Sequence, residues 1–103
     1  MIFRKRFSEL VRRQLDLFAS EHAALLKEVA QAEEAFVASD RDEAEERYGD
    51  FADRVEWAMA ELESLRDTYA ATLDESAAAG YARAFDRAAR GRFPHHAWAY
   101  TDY

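Results

Sequence analysis

Carboxylates dominate the side chains that could carry chemistry: 21 aspartates and glutamates against three histidines and no cysteine. Paired carboxylates at helical spacing can hold Mg²⁺ for phosphate chemistry. Glu43, Glu46, Asp50, Asp53 and Glu61 recur at such a spacing along one segment. A di-iron centre in a helical bundle needs Glu-x-x-His pairs, yet the residues three before His22, His95 and His96 are Ala19, Arg92 and Phe93. His-Glu-x-x-His is missing too, and a regular backbone points the adjacent His95 and His96 apart. Without cysteine there is no thiolate ligand, disulfide or cysteine nucleophile. The serines, at positions 8, 20, 39, 64 and 76, sit in no Gly-x-Ser-x-Gly elbow, and there is no glycine-rich phosphate loop. These residues point to no catalytic, cofactor or metal site. A solvated acidic face is the expected reading of the carboxylates.

Charge distribution says more than the total. The 103 residues carry a net −7, but residues 1–18 balance to +3, residues 19–79 to −12 and residues 80–103 to +2. An acidic chain with basic ends argues against a general nucleic-acid partner. Arg4, Lys5, Arg6, Arg12 and Arg13 interleave with Phe3, Phe7, Leu10 and Val11 as in an interfacial helix. Neutralisation by Asp67, Asp74 and Glu75 of the same chain is the expected alternative to a membrane surface. No apolar run approaches the ~18 residues of a membrane span, and no apolar stretch of a signal peptide follows the basic start. The expected compartment is the cytoplasm. Twelve arginines against two lysines, with one isoleucine and no asparagine, fit a GC-rich bacterial genome.

The elements that must position these groups are helical. One proline and three glycines are too few turn residues for an all-β chain. Phe7, Val11, Phe18, Leu25, Val29 and Phe36 fall within about 40° on a helical wheel, flanked by Leu10, Leu15, Leu17 and Leu26. This predicts a first helix over about 4–38, with room for a break near Ser20. Asp40 and Glu43 read as an N-cap and its third-position partner. A second helix over about 41–73 follows, with Tyr48, Phe51, Val55, Met59, Leu62, Tyr69 and Leu73 inward. Thr72-Leu73-Asp74-Glu75 or the following Ser76 marks the next boundary, and a third helix over about 75–90 turns Tyr81 and Phe85 inward and stops at Gly91. The aromatic segment 92–103 is expected to pack back or mediate contacts. Arg66 lies within the apolar stripe of the second helix and needs a carboxylate, for which an antiparallel register favours Asp16.

The expectation is therefore a single all-α domain, a long antiparallel hairpin with a shorter third helix. That third helix covers only half of the hairpin. Leu25, Val29, Phe36, Phe51 and Val55 are left with two helices to bury them, so a homodimer completing a four-helix core is expected. Trp57 falls about 160° from Val55 on the wheel, near the middle of the acidic face. It serves either as a contact residue or as a ring covered by the third helix or the aromatic tail.

Two outlines bear on function. The acidic run of the second helix is faintly similar to the all-α nucleotide pyrophosphohydrolases, but their Glu-x-x-Asp element is unmatched where Glu63-Ser64-Leu65-Arg66-Asp67 stands. The acidic, cysteine-free hairpin is also similar in outline to the WXG100-type secreted proteins. Only Tyr48-Gly49 stands where these have Trp-x-Gly, and Tyr69 and Tyr81 precede an aspartate by five residues rather than four. The leading expectation is a non-enzymatic interaction or scaffold protein acting as a homo-oligomer or adaptor. A Mg²⁺-dependent helical phosphate enzyme and a WXG100-like secreted protein are the alternatives.

Overall fold

In the computed structural model the described residues are 2–93, with side chains from Arg6 onward. They form four helices: α1 (Ile2–Glu21), α2 (Ala23–Val37), α3 (Ala44–Ala70) and α4 (Glu75–Arg92). No strand occurs among the described residues, and no helix there is long and apolar enough to cross a membrane.

The first expected helix is two. The break is a single residue, His22, at φ −113° and ψ 29°. Hydrogen bonding survives on both sides of it: His22 N–H donates to the Phe18 carbonyl at 2.9 Å, and Leu26 N–H to the His22 carbonyl at 3.0 Å. Good helix formers on either side keep both segments helical. The turn at His22 separates the partners of the two segments, α1 packing chiefly on α4 and α2 on α3.

The apolar periodicity places the core correctly along both segments. Phe7, Val11, Leu15 and Phe18 of α1 share one cluster with Leu25 and Val29 of α2. Phe51, Val55, Met59 and Leu62 of α3 join it, with Tyr81, Phe85 and Ala89 of α4. Leu15 is fully buried although it lies on the flank of the stripe, whereas Leu17 is 56% exposed. Leu17 sits about 100° from the centre of the stripe, too far round to reach the core. Tyr48 belongs to the inward stripe of α3 by spacing but is exposed, its ring edge-on to Phe36 beyond the end of the core.

The boundaries follow local chemistry. The Asp40 carboxylate accepts from Glu43 N–H at 3.1 Å, but this bond closes the turn before α3, and the helix begins one turn later at Ala44. Asp74 is a true N-cap: its backbone is extended and its carboxylate accepts from Ala77 N–H at 2.8 Å. Such caps contribute about 1 kcal/mol. Gly91 does not stop α4; the helix passes through it to Arg92, and no glycine has positive φ among the described residues. Phe93 follows, buried edge-on to Phe18 at 5.6 Å between centroids. The remainder of the expected aromatic tail, from Pro94 to Tyr103, lies outside the described residues.

Arg66 is paired, but not with Asp16. Its Nε donates to Asp67 at 2.8 Å and its Nη1 to Asp86 of α4 at 3.0 Å. These two carboxylates, Asp67 first, hold the guanidinium well above its ordinary pKa. Asp16 instead accepts from Arg12 and from Arg92 of α4. The cause is topological: α4, not α1, faces the side of α3 that carries Arg66.

Tyr81 is the one fully buried large polar ring of α4, and its hydroxyl donates to Gln14 Oε1 at 2.7 Å. Burial pushes its phenol up to about 12, against about 10 in an unfolded chain. Folding thus favours the protonated phenol. Its contribution is complete below pH ~10 and is lost as pH rises towards 12, by roughly 2 kcal/mol. Urea unfolding across this range should show that fall, and Tyr81→Phe should flatten it. An unchanged slope in Tyr81→Phe would mean that other groups set the alkaline limit.

Candidate interaction surface

The expected interface residues do not share one surface. Leu25, Val29, Phe51 and Val55 are buried within the single chain, between 0 and 7% exposed. Phe36 is half-buried, its ring stacked on Phe51 at 6.4 Å and edge-on to Tyr48. One copy already takes four of the five hairpin residues from water, which removes the unsatisfied stripe that motivated the dimer. Trp57 alone of the set is fully outward, 57% exposed on α3.

The acidic residues of α3 are spread, not gathered. Glu46 and Asp53 are exposed, and Asp50 and Glu61 are partly covered. Glu43 pairs with Arg47 at 3.7 Å just ahead of the helix. Among the described residues no three metal-ligating side chains converge.

A groove of about 250 Å³ lies between α1 and α3; Glu61, one turn after Trp57, lines it, and Trp57 itself does not. Leu17 and Leu65 form its apolar walls, and Glu21 and Glu61 its acidic rim. The floor is set by the break in the first helix. His22 stacks on Phe18 at 4.5 Å, its Nδ1 lies 3.3 Å from the Phe18 carbonyl, and its Nε2 lies 3.7 Å from Glu61 Oε2. The same histidine therefore ends α1, starts α2 and ties both to α3. Leu17 is the residue that sequence reasoning missed. Its offset from the core stripe was the available signal.

A second surface has the opposite sign. Arg83, Arg87 and Arg90 recur at i, i+4 and i+7 on the exposed side of α4, while Asp86 between them turns towards Arg66. Arg83 also borders a cavity of about 360 Å³ shared by Arg6, Phe7, Asp74, Ser76 and Gly80. Arg6 of α1 thus lines the same cavity as Asp74, although Arg6, Arg83 and Arg87 form no salt bridge among the described residues. No protein-family model, curated protein or solved structure matches the chain.

Proposed function

We propose that the chain is a non-enzymatic helical interaction module that acts as a homo-oligomer and can serve as an adaptor for a second protein. The observation that carries this reading is Trp57, a large ring left 57% exposed on the outer side of α3, with Leu17 of α1 also 56% exposed. Large amphipathic rings contribute most to association when a partner desolvates them, and interface energy concentrates in a few such residues. The interface proposed here differs from the hairpin stripe of Leu25, Val29, Phe51 and Val55, because those side chains already belong to the core.

Trp57→Ala tests the reading. It removes an exposed ring and should leave stability within about 0.5 kcal/mol of the parent. Sedimentation velocity on the parent at tens of micromolar should show a species larger than one copy. Trp57→Ala should weaken that association by roughly thirtyfold, the effect of losing about 2 kcal/mol at an interface. A parent chain that stays monomeric at every concentration would refute self-association.

A further inference from the structure

We infer that copies of this chain associate head to tail, the arginine ridge of α4 in one copy lying on the acidic Trp57 face of α3 in the next. The inference rests on the reading above and names the partner surface. Charge complementarity carries it: residues 19–79 balance to −12, whereas residues 80–103 balance to +2. Within one copy, Asp53 on the α3 face and Arg83 and Arg87 on the α4 ridge form no salt bridge among the described residues. All three are exposed, so each is free to meet a partner without moving the core.

Spacing supports the match. Asp53 and Trp57 are four residues apart on α3, and Arg83 and Arg87 are four apart on α4. Each pair therefore spans about 6 Å along its own helix. Antiparallel packing of the two helices places Arg87 against Asp53 and lays the Arg83 guanidinium over the Trp57 ring. That supplies one charge-assisted hydrogen bond and one cation–π contact. Glu46 and Asp50 continue the acidic face by a further turn or two. Because the two surfaces differ, the contact is heterologous, and an open row always leaves one ridge and one tryptophan face unpaired until it closes on itself. The product is a ring or an extending row, not a closed symmetric pair.

Complementation tests this. Arg83→Glu/Arg87→Glu disables only the ridge, and Asp53→Lys/Trp57→Ala disables only the face. All four positions are exposed, so circular dichroism should show parental helix content in both variants. Arg83→Gln/Arg87→Gln and Asp53→Asn/Trp57→Ala provide milder versions of the same pair. The parent should associate at low salt and dissociate as salt is raised. Each variant alone should associate at least about tenfold more weakly. An equimolar mixture should recover a two-copy particle and nothing larger, since each partner supplies the surface the other lacks. A mixture that stays monomeric, or a ridge variant that associates like the parent, would overturn the head-to-tail arrangement while leaving self-association standing. A parent that is monomeric throughout would overturn both.

Discussion

Val29→Asp is expected to unfold the chain rather than to split an association. Val29 is 1% exposed and belongs to the same core cluster as Leu25, Phe51 and Val55. The nearest arginine on the facing helix by position, Arg54, is already engaged on the outer side. It pairs with Glu28 at 3.6 Å and donates to the Asp50 carbonyl at 3.1 Å. A carboxylate introduced at position 29 therefore finds no cation in the core. Leaving a charge buried and unpaired costs about 3–5 kcal/mol, a large share of the roughly 5–15 kcal/mol that holds a domain of this size together. Helical ellipticity at neutral pH should collapse or melt far below the parental temperature. Val37→Asp is the matched control, because Val37 is 76% exposed and an aspartate there should change stability by no more than about 0.5 kcal/mol. Parental melting in Val29→Asp would show that the side chain is accessible, and would restore the hairpin stripe as an interface.

The second large effect is expected at Phe18. Its ring is 2% exposed and joins the break to the end of α4: His22 stacks on it at 4.5 Å, and Phe93 meets it edge-on at 5.6 Å. Phe18→Ala removes the common wall of these contacts and leaves a cavity, at a cost of about 3–5 kcal/mol. The melting temperature should fall by more than about 12 °C. Amide exchange should rise at two places distant in sequence, around His22 and at the C-terminal turn of α4. A loss under about 1 kcal/mol would mean that neighbours collapse into the space and that Phe18 is not the joint.

How much of this was legible in the sequence depends on which physical question is asked. The inward faces of the helices were readable at Phe7, Val11, Phe18, Leu25, Val29, Val55 and Phe85 because the 3.6-residue period constrains a side chain whatever its partner is. Asp74 as the N-cap of α4 emerges only from the bond its carboxylate accepts from Ala77, but the boundary within residues 72–76 was readable because such signals are local in the chain. Contacts that depend on which helix lies opposite were not. Arg66 was expected to meet Asp16 because a hairpin of straight helices would place them together, whereas the turn at His22 gives α1 to α4 and leaves Asp86 in reach. The dimer expectation at Leu25, Val29, Phe51 and Val55 depended on the same straight hairpin. Trp57 was legible as outward from its angle alone. The groove between α1 and α3 was not, because it exists only where those two helices meet beside the break.

Pairing the first helix with the last has a consequence for how the chain is made. The contact between Gln14 and Tyr81 joins residues 67 apart, whereas α2 and α3 are connected by six residues, 38–43. The hairpin of α2 and α3 can close soon after both have left the ribosome, since short loops cost little entropy to close. Helix α1 emerges before α4 and has to wait for it. Throughout that interval Phe7, Val11, Leu15 and Phe18 lack their permanent neighbours, and the nascent chain offers an apolar helix to whatever chaperone or sister chain is near. Slow synthesis through the codons for α4 would lengthen that exposure, so the yield of folded protein depends on how promptly Tyr81 and Phe85 reach the core.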